Sequence, residues 1–404
     1  MALAPLSISV RPGYPDFLDL PWDRSLNQWE GYCERLEEVP RGLSRHPVVF
    51  VNYDGNLYAL KEMPPDVANK EYDILKQIED LHLPVVTPVG HVLSRIYESN
   101  VSVLLTRFLD RSLPYRSLFM RSTLENYRRH LLNAMAGLLV QLHLAGIYWG
   151  DCSLSNVLFR RDAGALQAYL VDAETAEAHI AHLSPTLRHH DLEIMEENVR
   201  GDLSDLAASG FLSADFPILD TGAYIRHRYQ DLWEEITREV IISQEEHYRI
   251  QERINALNAL GFSVGEVKLQ TTERGGRIRL RVMVTDRNFH RDQFYGLTGL
   301  EAEEMQAQKM MNEIQEIKAT LEYQNNRSTP LSVAAYHWME HVYEPTMQIL
   351  KPLVNHYNAP AELYCQVLEH KWFLSERTQH DVGHHIAAKD YLEHYGRPDS
   401  YQSS

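Results

Sequence analysis

The order of apolar and polar positions splits the chain into a strand-rich beginning and helix-spaced stretches after it. Residues 46 to 62, "HPVVFVNYDGNLYALKE", hold two β-rich runs around Asp54-Gly55-Asn56, and Asp-Gly supplies the dihedrals of a tight hairpin turn. Side chains alternate along a strand, so Ala59 and Lys61 share one face while Tyr58 and Leu60 take the other. After Pro64-Pro65, "DVANKEYDILKQIEDL" puts Val67, Ile74, Leu75 and Ile78 at helical spacing, with Asp66 as N-cap. Glu71 falls in that stripe, where a carboxylate either pairs with a cation such as Lys61 or reaches water at the stripe's edge. "HLPVVTPVGHVL" and "NVSVLLTRFLD" then read as strands, the second ending near Thr106 to Leu109, where a first lobe closes.

Ser122 with Glu125 forms a capping-box signature, and Leu124, Tyr127, Leu131, Met135, Leu138 and Leu142 carry a long helix to Gly146. The loop "GIYWGDCSLSNVLF" follows, with Asp151 and Asn156 five positions apart. "NVLFRRDAGALQAYLVDAE" then reads as strand, Asp-Ala-Gly turn and strand, ending in Asp172. "SPTLRHHDLEIMEENVRGDLSDL" reads as loop then helix, from which Asp191 or Asp202 braces the preceding loop. His189 and His190 are adjacent, face different ways on a helix, and read as surface residues.

After Asp220 the pattern is strongly helical through "YQDLWEEITREVIISQEEHYRIQERINALNALGF". It then becomes a hairpin at "SVGEVKLQTTERGGRIRLRVMV", with Gly275-Gly276 in the turn. Arg277, Arg279 and Arg281 share one face of the returning strand, either its solvated side or a receiver for phosphate or an acidic partner. Met310, Ile314, Ile317 and Leu321 mark a core helix. The pairs His337/His341 and His380/His384 have ligand spacing, but without HExxH or a third convergent group they read as structural or surface histidines. A metal-hydrolase reading would rest on them alone.

Composition narrows the class. The 404 residues are 44% hydrophobic and 24% charged, which suits a folded chain of two or three domains. Lys plus Arg number 39 against 56 Asp plus Glu, a net charge of -17 that argues against a general nucleic-acid or anionic-membrane binder. Cys33, Cys152 and Cys365 form no CxxC pair, which fits a reducing compartment and a cytoplasmic location. No stretch is apolar and long enough to span a bilayer.

Singly, Asp151, Asn156 and Asp172 are ordinary turn and strand-end residues. Their order after a strand lysine and a helix glutamate is what phosphoryl transfer from a Mg-nucleotide needs. On "YALK" and "WGDCSLSN", residues 1 to about 235 resemble the protein-kinase-like superfamily, and within it the lipopolysaccharide kinase (Kdo/WaaP) group and aminoglycoside-phosphotransferase-type small-molecule kinases. The resemblance implies an α+β, two-lobed protein-kinase-like fold, with an N-lobe over 1–109 and a C-lobe over 110–235. It implies ATP and Mg2+ as cofactors: Lys61 on the α/β-phosphates and paired with Glu71, Asp151 as catalytic base, Asn156 and Asp172 as metal ligands. Ala59, Thr106, Gly42 and Arg45 are the further nucleotide-contact candidates; "EEVPRGLSRHP" holds one glycine, so the phosphate grip is a short loop supported by arginine.

The departures matter too. Trp149-Gly150 replaces His-Arg, which argues against control by loop phosphorylation, and "DAE" replaces Asp-Phe-Gly. Glu174 is either a further carboxylate near the metals or a solvated loop residue. Residues 236–404 resemble a catalogued domain of unknown function (the 4032 type) that follows such kinase-like regions, and read as α-rich with one β-hairpin and a surface for a protein partner. The expected activity is ATP-dependent transfer to a hydroxyl of a carbohydrate, small molecule or protein. The alternative is a pseudokinase or nucleotide-sensing scaffold that binds ATP without turnover.

Overall fold

The computed structural model describes residues 6–39, 45–96, 99–119, 125–163, 165–180, 183–213, 216–237, 240–243, 266–271, 277–283, 289–325, 328–354, 359–378 and 380–395. The chain divides into two compact units, residues 1–160 with 167–236, and residues 161–166 with 237–404.

The first unit begins with β1 (Ser7–Val10), β2 (Leu36–Glu37), β3 (Val48–Tyr53) and β4 (Asn56–Met63). Helix α1 (Pro65–Asp80), β5 (Thr87–Ile96) and β6 (Ser99–Arg107) complete its sheet lobe. The sheet has six strands in the order β1-β5-β6-β4-β3-β2, every neighbour pair antiparallel. The β3–β4 hairpin turns on Asp54 (φ 53°) and Gly55 (φ 82°), both in the left-handed region that a two-residue turn of this kind requires.

Tyr58 and Leu60 face a core that the pattern of apolar residues had not announced. Between β1 and β2 the chain folds over the sheet and plants Phe17, Leu20, Trp22, Leu26 and Trp29 against Val51, Tyr53, Val103 and Leu105. Ser94 Oγ ties this strap down by donating to the Trp22 carbonyl at 2.8 Å. Helix α1 buries Ala68, Glu71, Leu75 and Ile78. Its N-cap is Pro64 rather than the expected Asp66, which sits in the first turn, because proline's fixed φ suits a helix start and Pro65 is the first helical residue.

The helical lobe follows as β7 (Ser112–Pro114), α2 (Tyr115–Phe119), α3 (Glu125–Leu144), β8 (Ile147–Tyr148), β9 (Val157–Asp162) and β10 (Ala165–Leu170). It ends with β11 (Glu177–Ala178), α4 (Pro185–Ala208) and α5 (Ile218–Thr237). In α3 the expected stripe of Leu131, Met135, Leu138 and Leu142 is buried, and Gly146 leaves the helix at φ 80°. The Ser122, Leu124 and Gly42 expectations lie outside the described residues, as do the side chains of Glu125 and Tyr127. β10, β9 and β7 form a small sheet, and Leu170 exchanges backbone bonds with Pro84 and Val86. The end of β10 is thereby fixed beneath the strand lobe.

The second unit holds β12 (Val240–Ser243), β13 (Glu266–Thr271) and β14 (Arg277–Met283) in one antiparallel sheet, ordered β12-β14-β13. β12 corrects the expectation of continuous helix: Val240, Ile241 and Ile242 are β-branched and pair with Leu280, Arg279 and Ile278. The Gly275-Gly276 turn and the side chains of the Arg277, Arg279 and Arg281 row lie outside the described residues.

Helices α6 (Phe289–Thr298), α7 (Glu304–Asn325), α8 (Leu331–Trp338), α9 (Glu344–Leu350), α10 (Pro360–Thr378) and α11 (Gly383–Tyr395) form its core. Met310 and Ile314 of α7 are fully buried in it, and Ile317 packs against it. The six-residue segment 161–166 is part of this unit. Asp162 accepts from the Met305 and Gln306 amides at 3.1 and 3.0 Å, capping α7, while Glu362 and Lys309 hold the Ala163 amide and carbonyl. Among the described residues no helix is long and apolar enough to cross a membrane.

Candidate active site

Lys61 stands on β4 opposite Val48 of β3 and Leu104 of β6, with 13% of its side chain exposed. Its ammonium lies 3.0 Å from Glu71 Oε2, 2.8 Å from Asp172 Oδ2 and 3.6 Å from Glu174 Oε2. Burial pulls the Lys61 pKa down, but the charges of Glu71 and Asp172 outweigh it and leave the ammonium above its ordinary value. Glu71 is pushed up to about 7, first by burial and then by Asp172, against the pull of Lys61. One cation does not neutralise three carboxylates whose oxygens lie within 4.8 Å of one another.

Glu71 therefore pairs with Lys61 rather than reaching water. Glu174, whose sequence reading allowed a solvated loop position, is drawn beside the same cation, and its Oε2 also meets His46 Nε2 at 3.2 Å. Ala59 and Thr106 are directly opposed on β4 and β6, on the face that carries Lys61.

The 149–156 loop is held from below by α4. Asp191 is fully buried and accepts from the Trp149 and Gly150 amides, both at 2.8 Å, from Cys152 Sγ at 3.2 Å and from His143 Nε2 at 3.0 Å. Burial lowers the His143 pKa, so a neutral ring donating from Nε2 to Asp191 and accepting from Tyr229 at Nδ1 satisfies every partner. Asp202 accepts from the Leu154 and Ser155 amides at 2.9 and 3.1 Å. Both braces are in place. Gly150 has φ 77°, and a Cβ there would lie 3.1 Å from the Thr175 carbonyl oxygen, so glycine is required where the loop passes that backbone.

Asp151 has 28% of its side chain exposed. Its Oδ2 accepts from Asn156 Nδ2 and Arg45 Nη2, each at 3.1 Å, and its Oδ1 accepts from Asn198 Nδ2 at 2.9 Å. Trp149 Nε1 donates to the Asp172 carbonyl at 3.1 Å, and the Val171 amide donates to the Asn156 carbonyl at 3.1 Å. Lys61, Glu71, Asp151, Asn156 and Asp172 thus belong to one bonded cluster, joined by Arg45 from the loop before β3. His46 and Asn198 were missed by sequence reasoning, and Trp149, read as a departure in the loop, was not given its bond to Asp172. A signal for Asn198 existed: Asp191, Met195, Asn198 and Asp202 follow steps of four, three and four, so Asn198 shares one helical stripe with the two aspartates read as braces.

Among the described residues the two histidine pairs do not join one another in a group of metal-ligating side chains. His341 Nδ1 donates to the His337 carbonyl at 3.2 Å, whereas His384 Nε2 pairs with Glu313 at 2.7 Å and His380 bonds the Thr378 carbonyl. Among the described residues the one metal-type group of three is Glu71, Asp172 and Glu174.

A strand lobe carrying a lysine paired to a helix glutamate, over a helical lobe presenting Asp-x-x-x-x-Asn and a strand-end aspartate, is a protein-kinase-like fold. Residues 54–217 match the lipopolysaccharide kinase (Kdo/WaaP) family, and residues 231–395 match a domain of unknown function (DUF4032). No curated protein matches the sequence. One similar solved structure is described as WaaP in complex with acyl carrier protein. It is 14% identical at a TM-score of 0.36, over 63% of this chain and 99% of that one. Another is the yeast RNA Pol II CTD kinase CTDK-1 complex, 17% identical at a TM-score of 0.26, over 35% of this chain and 50% of that one.

Proposed function

We propose that the chain is an ATP-dependent phosphotransferase that moves the γ-phosphoryl group of Mg-ATP to a hydroxyl of a carbohydrate, small molecule or protein. The observation that carries this reading is the Lys61 ammonium between Glu71 and Asp172, with Asp172 bonded through its own backbone to the loop of Asp151 and Asn156. Lys61 meets the α/β-phosphates and Glu71 fixes its direction. Ala59 and Thr106 border the nucleotide on the same face, and Arg45 supplies a cation at the phosphate end.

The donor set suits a hard dication. Asp172 offers carboxylate oxygen, and Asn156, which spends its amide nitrogen on Asp151, keeps its carbonyl oxygen as ligand. Bound Mg2+ supplies neutralisation of the phosphate charge. Asp151 takes the acceptor's hydroxyl proton as the acceptor oxygen bonds to the γ-phosphorus. The bond from that phosphorus to the β–γ bridging oxygen breaks, and its electron pair leaves on ADP.

The test is pure protein with Mg-ATP, read by nucleotide binding, hydrolysis and autophosphorylation. Wild type is expected to turn over. Asp151→Asn should keep nucleotide binding and lose turnover by about 10²- to 10⁴-fold, while Asp172→Asn should lose turnover and bind Mg-ATP only at higher Mg2+ concentration. Wild-type binding without turnover would make the chain a nucleotide-sensing scaffold.

A further inference from the structure

Helix α4 sends three polar side chains to the catalytic loop, and they do different things. Asp191 and Asp202 receive amide protons from the loop's backbone, at 149–150 and 154–155. Asn198, between them on the same stripe, makes no bond of that kind among the described residues; its Nδ2 donates to the carboxylate of Asp151 itself, at 2.9 Å. We infer that Asn198 is a positioning residue for phosphoryl transfer, setting the rotation of the Asp151 carboxylate and so the direction in which it takes the acceptor's proton. The inference rests on the phosphotransferase reading above.

Lone-pair bookkeeping shows why one amide matters. A carboxylate oxygen accepts about two hydrogen bonds. Among the described residues Asp151 Oδ2 has two partners, Asn156 and Arg45, and Oδ1 has one, Asn198. One lobe of Oδ1 is left for an acceptor hydroxyl, and the Asn198 bond aims it. The Arg45 bond is a weaker restraint, since 79% of that side chain is exposed. Without Asn198 the carboxylate pivots on its Asn156 side, and misplacement of a reacting group by about 1 Å costs on the order of 100-fold in rate.

Two variants test this, assayed as Mg-ATP turnover to water or to the chain's own hydroxyls. N198A should lower kcat by about 10- to 100-fold with the KM for Mg-ATP within about twofold of wild type. N198L fills nearly the same volume but has no donor, so it should lose kcat as N198A does, whereas a merely structural role, in which the side chain only fills space, would leave N198L near wild type. A kcat for N198A within twofold of wild type, a loss confined to KM, or N198L turning over as wild type does would each overturn the inference. Absence of wild-type turnover would remove the phosphotransferase reading first, and is seen before any variant is compared.

Discussion

Lys61 is surrounded by more negative charge than it can cancel. With Glu71 at 1% exposure and Asp172 and Glu174 close by, the ammonium is what allows the carboxylates to share a site. Lys61→Met should lower the unfolding free energy by about 3 to 5 kcal/mol, the usual cost of stranding a buried charge. Adding Glu71→Gln should return part of that loss, because it removes the most buried acid; denaturant melts of the single and double variants measure both. The residues around this lysine were legible because their types recur in a fixed order along the chain, each on the element that its neighbours' periodicity defined. Asn198 and His46 were not, since their partners lie 47 and 128 positions away and only folding brings them near. Glu174 was ambiguous for another reason: loop glutamates are nearly always solvated, and nothing local marks the exception.

Among the elements, strands and helices of the first unit followed their apolar patterns closely, and the strap over the strand lobe did not. Phe17, Leu20, Trp22, Leu26 and Trp29 have no helical or alternating period, so their common burial comes from the sheet they cover. β12 was misread because its three β-branched residues adjoin a strongly helical pattern, and the pairing with β14 decided the outcome.

The cap on α7 carries a pH dependence. Burial, and then the charge of Glu303, push Asp162 up to about 7. The fold thus favours the protonated acid. That stabilisation is full below the ordinary carboxyl value and is lost as pH rises through 7. Wild-type stability should carry this falling component between about pH 4 and 7, at most about 1.4 kcal/mol per pH unit. Asp162→Asn should remove it, as melts across that range would show.

At the scale of the molecule, the two matched regions are consecutive in sequence, at 54–217 and 231–395, but the compact units are not. Segment 161–166 is counted with residues 237–404, and Asp162 and Ala163 supply backbone and carboxylate partners there to Met305, Gln306, Lys309 and Glu362. A fragment of residues 237–404 alone lacks those partners, leaving α7 without its cap. It should melt at a lower temperature than the same residues within the full chain, followed by amide exchange at Met305 and Gln306. Periodicity could not reveal this, because segment 161–166 runs only from the last residues of β9 to the first of β10, and its partners lie 143 to 199 positions away.

That interleaving sets a rule for transplantation. Whoever moves the C-terminal region onto another scaffold must carry two pieces of polypeptide, residues 237–404 and the short segment 161–166. A single splice after residue 236 would sever the donor from its own capstone.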